Sequence, residues 1–566
     1  MDEQDISRGL SKQKSSCATS IPVRKSFSEN IGIHPFVGII NDIKRRAPFY
    51  VSDWTDAWDY RIVPASIYMF FANILPAVAF ALDLVSKTDS NYGVNEVLLS
   101  SVIAAVAFSM LGGQPLCIVG VTGPITVFNY TIYDIVHRQG VPYLPFMGWV
   151  SLWGLIFHLI IAIFNGCNFL KYVTRFSCDT FGFYVAMLYL QKGFQILTRQ
   201  FEDSEASGYL SITLALLVFI VGCVCQRIGS SNLFKHVVRI LVLDYGTPLT
   251  IIFFTGLPYI GRMRYVGLKT LPVSQAFQPT LNRNWVVDFW TLDAVHVFEA
   301  LPFGILLTIL FWFDHNVSCL IAQGSEFPLK KPAAFHYDMS LLGIVVLISG
   351  LLGIPAPNGL IPQAPFHTAS LCVTTLNEKN EPVIERVVEQ RASNLLQGFL
   401  SLIVMTGPLL TVLHKIPQAV LAGLFWVMGV DAILGNGITR KIIWLCTQNN
   451  FISQDDPLRL CRSNAVYKFV ALELLGFGAT FAITQTIAAS GFPVIIMSLI
   501  PLRIYLCPKL FTFDELDILD APTASKFTMV SVGGMYEAFG HKNNSSCTNE
   551  ELEIQEANRG VGLQSV

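Results

Sequence analysis

One aspartate stands deep inside an apolar stretch of the chain. Residues 306–318 read Leu-Leu-Thr-Ile-Leu-Phe-Trp-Phe-Asp-His-Asn-Val-Ser, and Asp314 is the acidic residue among them. Ionisable side chains inside membrane segments are costly, and they usually face a cavity or an ion path. The position therefore predicts that Asp314 binds a cation or a proton, or titrates as a gate. The alternative is a structural carboxylate that caps a neighbouring helix N-terminus.

Two segments rich in Gly and Pro offer neutral binding groups. Residues 112–124 read Gly-Gly-Gln-Pro-Leu-Cys-Ile-Val-Gly-Val-Thr-Gly-Pro, and residues 358–367 read Asn-Gly-Leu-Ile-Pro-Gln-Ala-Pro-Phe-His. Because proline suits the first turn of a helix, Pro124 and Pro365 are predicted to begin half-helices whose free N–H groups point into the protein at membrane depth. Two such facing ends form a site for an anion or a hydroxyl-rich solute. The candidate groups are the side chains of Thr122 and Gln363 and the backbone at Val121, Gly123 and Ala364.

Three polar residues near these segments have structural interpretations. Gln363 is equally well explained by a packing hydrogen bond between helices. His367 lies in the first turn of the second half-helix, where a structural histidine is favoured over a ligand. Glu473, within a later apolar run, is favoured as a helix–helix hydrogen-bonding group over a second titrating group.

The composition excludes several classes of protein. The chain has 566 residues, of which 52% are hydrophobic and 14% are charged, whereas a soluble domain carries nearer a quarter charged residues. A net charge of -2 gives no basic footprint for nucleic acid. The 12 cysteines are scattered without a metal-ligand spacing, so buried free thiols are predicted, with no metal and no cofactor. No P-loop, nucleophile elbow or metalloprotease helix is present in the sequence, which favours gradient-driven transport over enzymatic activity.

Fourteen apolar runs are predicted to span a lipid bilayer. They are 62–85, 97–111, 114–131, 143–166, 179–197, 209–226, 237–258, 298–322, 337–353, 359–374, 394–413, 416–434, 466–483 and 486–504. An even number places both tails on one side. Lys and Arg concentrate in the tails and in the loops on that side, so both termini are predicted to be cytoplasmic.

The two broken segments indicate an internal repeat. Pro365 follows Pro124 by 241 residues, and the same offset carries Ile62 onto Phe303 near the start of the eighth run. Seven spans per half is an odd number, so the halves must be inverted, as in secondary transporters; chance similarity of Gly and Pro is the alternative. The predicted fold is an all-α polytopic membrane protein with a 7+7 inverted repeat, in which two broken half-helix spans carry short extended segments. Its parts are a cytosolic tail 1–60, a first repeat 61–258, an extracytosolic loop 259–297, a second repeat 298–504 and a cytosolic tail 505–566.

Several motifs together resemble one family. The segments 113–125, 313–317 and 416–430 are similar to the bicarbonate transporter and anion exchanger family. Within it, the segment 358–368 resembles the borate exporter branch of fungi and plants. The similarity runs from about Asp53 to Asp520, essentially the whole apolar part of the chain.

The resemblance implies an architecture and a site. It implies the uracil-permease-like fold, in which a core domain of spans 1–4 and 8–11 moves against a gate domain of spans 5–7 and 12–14, usually in a homodimer. Substrate would bind between the third and tenth spans, beside Asp314. The substrate-binding set is then Gln114, Thr122, Gly123, Asp314, Gln363 and Ala364. Chloride/bicarbonate exchangers can carry an arginine in the tenth span, and Gln363 stands there in this chain.

The predicted function is elevator-like export of borate or boric acid, with a possible coupled proton or counter-ion. Gln363 favours this over bicarbonate/chloride exchange, which is the first alternative. A passive anion channel and a non-transporting membrane anchor are the others. The plasma membrane is predicted and the vacuolar membrane is the alternative; the partners are the lipid bilayer and a second copy of the chain, without nucleic acid.

Overall fold

The computed structural model of the protein describes residues 35–231, 233–272, 275–376, 382–454, 456–486 and 488–532. Most of these residues are helical. The helices are α1 Val37–Arg46, α2 Ser52–Thr55, α3 Ile62–Lys87, α4 Val94–Met110, α5 Gly123–Arg138, α6 Tyr143–Ile163, α7 Arg175–Thr198, α8 Glu205–Ser230, α9 His236–Gly256, α10 Ala294–Ala322, α11 Phe335–Leu352, α12 Gln363–Ser370, α13 Ala392–Val404, α14 Gly407–His414, α15 Gln418–Gly435, α16 Gly437–Cys446, α17 Ser463–Thr484, α18 Phe492–Leu510, α19 Phe513–Leu519 and α20 Lys526–Met529. The outer parts of both predicted tails lie outside the described residues.

Nine of the described helices are long and apolar enough to cross a membrane. The bent pair α13 and α14, which meet at 86°, makes a tenth candidate. The remaining predicted spans fall on α4, α7 and the two broken segments, whose helices are shorter or more polar. The chain is thus a mostly helical membrane protein, and the count of fourteen stays a prediction.

The two broken segments meet each other in an extended pairing. Strand β1 (Val119–Gly120) and strand β2 (Asn358–Gly359) are antiparallel, with Val119 opposite Gly359. Each strand is followed by a helix, α5 and α12 respectively. The predicted extended segments are therefore present, and they pair within the protein interior, where both strands are fully buried.

The start of α5 agrees with the prediction, and the start of α12 differs from it. Thr122 is the N-cap of α5, and Pro124 lies in its first turn as predicted. The second helix begins at Gln363 behind an N-cap at Pro362, so Pro365 is its third residue and does not start it. Pro362 precedes the helix with a φ of -70°, and Pro365 is tolerated in the first turn, where a missing N–H breaks no intrahelical hydrogen bond.

The predicted tenth span, 359–374, is wrong at its C-terminal end. Helix α12 ends at Ser370, and a hairpin of β3 (Cys372–Leu376) and β4 (Pro382–Val387) follows. The two strands pair antiparallel with a register shift between Val373 and Thr374. The β-branched residues in this stretch favour strand over helix, so the apolar run continues without the helix continuing.

Small residues let the helices of the core approach closely. A Cβ added at Gly304 of α10 would lie 2.5 Å from Cβ of Trp153 on α6. One added at Gly343 of α11 would lie 2.7 Å from Cβ of His158, also on α6. Such contacts replace the hydrophobic effect as the source of packing energy between helices in lipid. They hold α10, which carries Asp314, firmly against its neighbours.

A buried ionic cluster joins four parts of the chain. Asp53, which is fully buried, accepts hydrogen bonds from Arg46 at 2.8 Å, Lys331 at 2.9 Å and Arg391 at 2.8 Å. Arg391 also donates to the carbonyls of Ser109 and Gly112 at 3.0 and 2.6 Å. The cluster thereby fixes the end of α4, where the first broken segment begins.

The N-terminal helix α1 is held by a carboxylate. Asp42 accepts from the backbone N–H groups of His336 and Tyr337, at 2.8 and 3.3 Å, at the N-terminus of α11. Its other oxygen accepts from Oγ of Ser531 at 2.7 Å. Burial raises the pKa of Asp42 to about 7, and these hydrogen bonds oppose the shift.

This shift predicts how stability depends on pH. Since the folded pKa lies above the ordinary value of 3.8, the folded state binds the proton more tightly, and stability falls as pH rises from about 4 to about 7. Over this interval we expect the melting temperature of the wild type to fall by a few degrees more than the melting temperature of Asp42→Asn. Thermal unfolding at pH 5 and pH 7.5 measures it. Asp514→Asn, at an exposed position, should behave as the wild type; equal pH dependence of the wild type and Asp42→Asn contradicts the prediction.

Candidate functional site

Asp314 lies in the C-terminal half of α10 and is 2% exposed. Its Oδ2 accepts a hydrogen bond of 2.9 Å from Nδ2 of Asn358. Asn358 belongs to β2, and its Oδ1 accepts from the N–H of Gly359 at 2.8 Å. The predicted acid is thus attached to the second broken segment at the point where that segment pairs with the first.

Gln363 begins α12 and is fully buried. Its Nε2 donates to the carbonyl of Ala72 on α3 at 3.3 Å and to the hydroxyl of Tyr189 on α7 at 3.4 Å. Its Oε1 has no hydrogen-bond partner among the described residues. Because a buried acceptor without a partner costs about 1–3 kcal/mol, this oxygen is an open position for a donor from a ligand. The helix–helix hydrogen bond expected of Gln363 is present as well.

Thr122 and Gly123 form the start of α5. Oγ1 of Thr122 accepts from the N–H of Ile125 at 3.4 Å, and Gly123 packs beneath the ring of Phe80. Ala364 differs from the expectation, since its N–H already donates to the carbonyl of Leu360 at 2.9 Å. The chain turns before α12 begins, so this amide is satisfied within the protein.

Three aromatic rings cover the same region. Tyr189 stacks on Phe425 at a centroid distance of 5.5 Å, and Phe80 lies 5.9 Å from Tyr189 and 5.4 Å from Phe425. The three rings come from α7, α15 and α3. Tyr189 and Phe80 were not predicted as site residues, because nothing in their local sequence shows that they meet Gln363 and Gly123.

Two other polar residues lie apart from this junction. The backbone N–H of Gln114 donates to Asp338 of α11 at 3.0 Å, and its Oε1 accepts from the N–H of Leu116 at 3.2 Å. The contacts of Gln114 are therefore at the start of the first broken segment and not with Asp314 or Gln363. His367 contacts the carbonyl of Leu116 at 2.9 Å and Oγ of Ser393 at 2.7 Å. It is the satisfied structural histidine that was predicted.

Glu473 is also confirmed as a structural group. Its Oε1 accepts a hydrogen bond of 2.6 Å from Lys441 of α16, and both side chains are buried. The pair joins α16 and α17, away from the two broken segments. A helix–helix hydrogen bond therefore accounts for Oε1 of this carboxylate, whereas Oε2 has no hydrogen-bond partner among the described residues.

A family model decides the membership of the chain. The model of the HCO3- transporter integral membrane domain matches residues 34–209 and 204–524. The chain belongs to the bicarbonate transporter family. The match includes both broken segments and α10, so the junction of Asp314, Asn358 and Gln363 lies within the part shared with this family.

Individual members of the bicarbonate transporter family are similar over most of the chain. Boron transporter 1 of Saccharomyces cerevisiae is 44% identical, over 93% of this chain and 92% of its own length. A Schizosaccharomyces pombe protein described as a candidate transporter is 56% identical, over 85% and 95%. The human band 3 anion transport protein is 25% identical, over 86% of this chain and 56% of its own. Among solved structures, the transmembrane domain of the cyanobacterial bicarbonate transporter BicA matches with a TM-score of 0.47 at 16% identity, over 74% of this chain and 97% of that one.

A cleft of about 310 Å³ leads towards the junction in this member of the bicarbonate transporter family. Its lining includes Lys87, Arg138, Lys192 and Asp134. Leu188 also lines the cleft, and it lies within van der Waals contact of the position that a Cβ on Gly123 would occupy. The cleft thus comes within one side chain of the start of α5. Its lining carries three cationic groups and one carboxylate, and this excess of positive charge favours an anion.

The packing of β2 on α10 leaves no room for a side chain at Gly359. A Cβ there would lie 2.8 Å from Cα of His315 and 2.9 Å from Cβ of Ser318. We expect Gly359→Ala to push β2 from α10, to weaken the contact between Asn358 and Asp314, and to lower transport at least about fivefold, since overpacking costs about 1–3 kcal/mol. Transport per folded protein in proteoliposomes measures this.

The matched control for Gly359→Ala is Gly120→Ala on the partner strand. Its Cβ would meet Cδ1 of Leu360 at 3.1 Å, and a flexible side chain can move aside. The control should keep most of the transport. Equal loss in both variants would show that the approach of β2 to α10 is not the sensitive feature.

Proposed function

We propose that the chain is a secondary active transporter that exports borate or boric acid by an alternating-access, elevator-like mechanism. The observation that carries the proposal is the junction of β1 and β2, where Asp314, Asn358, Gln363 and Thr122 supply carboxylate, amide and hydroxyl groups without a Lys or Arg among them. The similarity to the yeast Boron transporter 1 over nearly its whole length supports the same substrate.

The chemistry of boric acid suits these groups. The neutral acid carries three hydroxyls, and the borate anion carries four. The unpaired Oε1 of Gln363 accepts an O–H donor, and the positive end of the α5 dipole stabilises a negative oxygen. Asp314 accepts a hydrogen bond from a hydroxyl, or takes up the proton released when boric acid adds a water molecule to become borate. Borate or boric acid would thus lie between Thr122 and Gly123 on one side and Gln363 on the other.

The motion proposed for transport runs along the interface that crosses the site. Phe80 lies on a helix assigned to the core domain, whereas Tyr189 and Phe425 lie on helices assigned to the gate domain. Asp83 of α3 pairs with Lys192 of α7, and with Arg199 of the segment after it at 2.9 Å. A displacement of the core domain would break these ion pairs and carry the junction past the aromatic rings.

The remaining parts of the proposal come from the predicted spans and from the resemblance to the family. Fourteen spans in two inverted halves, cytoplasmic termini, a homodimer and a plasma-membrane location with export from the cell complete it. On this orientation the cleft lined by Lys87 and Lys192 opens on the extracytosolic side. The proposal includes no enzymatic step and no cofactor, and a coupled proton or counter-ion is part of it.

The test is the boron content of cells that lack their own exporter. After loading with boric acid, cells with this chain should hold less boron than cells without it. Equal boron, with the protein confirmed at the plasma membrane, would contradict export. Uptake of labelled bicarbonate into proteoliposomes, with and without borate, distinguishes anion exchange. A flux without saturation or counter-flow would indicate a channel.

A further inference from the structure

Two cysteines and a histidine meet beside the candidate site. Cys117 of the first broken segment and His315 and Cys319 of α10 each place one potential ligand atom within 4.8 Å of the other two. All three side chains are buried. We propose that they bind a metal ion that prefers sulfur and nitrogen ligands, of which Zn²⁺ is the common biological example.

The arrangement on α10 suits coordination of one ion by two residues. His315 and Cys319 are four residues apart, so their side chains lie on the same face of the helix. Nε2 of His315 is 3.7 Å from Sγ of Cys319. Zinc–sulfur bonds of about 2.3 Å and zinc–nitrogen bonds of about 2.0–2.1 Å place such ligands roughly 3.6 Å apart in a tetrahedron. The observed separation is therefore close to that of an occupied site.

The third ligand comes from a separate segment, and a fourth group is close. Cys117 lies two residues before β1, and its Sγ is 3.8 Å from Oγ of Ser318 on α10. Tetrahedral metal sites use four protein ligands or three and an exogenous group. The cluster therefore supplies two sulfurs and a nitrogen, with the hydroxyl of Ser318 or water as the fourth ligand.

The nitrogen of His315 that faces the cluster is weakly bonded. Its Nε2 has only the thiol of Cys319 as a hydrogen-bonding partner, at 3.7 Å. A thiol is a weak hydrogen-bonding group. The ring is thus poorly satisfied by the protein alone, and a coordinate bond to a metal would replace the weak contact.

The location gives the ion a consequence for the site. His315 follows Asp314 directly, and Gly359 of β2 packs on His315 and Ser318. An ion that joins Cys117 to α10 would fix the first broken segment against the helix that carries Asp314. The metal site itself is independent of the identity of the transported solute.

The test uses the purified full-length protein in detergent and Cd²⁺ as the probe. Equilibrium dialysis should give one tightly bound Cd²⁺ that is absent from the double variant Cys117→Ala/Cys319→Ala. The control variant Cys178→Ala/Cys507→Ala removes two buried thiols from α7 and α18 and should retain the ion. Equal binding by both double variants overturns the proposal and indicates adventitious binding to other thiols.

A second measurement needs no variant and therefore does not depend on whether the alanine variants fold. X-ray absorption at the cadmium edge of the wild-type protein should show two sulfur ligands and a nitrogen ligand. A shell of oxygen ligands alone, or no retained Cd²⁺, overturns the proposal. Both readouts are independent of transport, so they fail or succeed separately from the proposed export of boron.

Discussion

Replacement of Asp314 by alanine is expected to reduce borate transport by about tenfold to a hundredfold. The variant leaves the buried amide of Asn358 without its acceptor where the two broken segments pair, and a buried donor without a partner costs about 1–3 kcal/mol. It also removes the carboxylate proposed to accept a hydrogen from the substrate. The measurement is initial uptake of boron into proteoliposomes across a range of pH.

The variant Asp314→Asn separates the two roles of this side chain. An asparagine oxygen still accepts a hydrogen bond from Asn358, so the contact of β2 with α10 should persist although the titrating group is gone. We expect this variant to fold normally and to lose the pH dependence of transport. Glu299→Gln, on the same helix with a side chain that is 46% exposed, should transport as the wild type. Unchanged pH dependence in Asp314→Asn and Asp314→Ala would show that Asp314 neither tunes nor couples the step.

The parts of the site that were predicted share one physical signal. A carboxylate in an apolar run is costly, and Gly and Pro interrupt a helix wherever they occur, so Asp314, Thr122 and Pro124 are visible without any knowledge of neighbours. Asn358 stands inside the second broken segment, and its polarity at membrane depth was a usable signal. Tyr189 gave none, because an aromatic residue on an apolar helix is ordinary until Gln363 is placed opposite it.

The features that were missed depend on contacts between distant segments. The hairpin after α12 continues an apolar run, so hydropathy alone could not separate it from a span. The start of α12 was misplaced because the segment contains two prolines, Pro362 and Pro365, either of which suits a helix start. The turn closed by the N–H of Ala364 on the carbonyl of Leu360 begins the helix at Gln363. Likewise, Cys117 is about 200 residues from His315, and the pairing of β1 with β2 brings their segments together.

The contacts of Asp53 could not be predicted from the sequence either. Asp53 lies in the predicted cytosolic tail, where a charged residue is expected to be solvated. In the structure it is fully buried and accepts from three cations. Desolvated ion pairs gain little net stability over apolar packing, but removal of one partner leaves uncompensated charge in the interior. Without the carboxylate of Asp53, Nε of Arg391, a side chain that is 1% exposed, would lose its acceptor.

We therefore expect Asp53→Asn to lower the free energy of unfolding by about 3–5 kcal/mol. The yield of monodisperse protein should fall with it, because Lys331 and Arg391 tie the N-terminal segment to the end of α4. Thermal unfolding of the purified protein, followed by size-exclusion chromatography, measures both effects. The matched control is Asp56→Asn, which also loses a partner of Lys331 but at a side chain that is 51% exposed; such a pair contributes about 0–1 kcal/mol. If the two variants unfolded at the same temperature, the cluster around Asp53 would not be what holds the first broken segment in place.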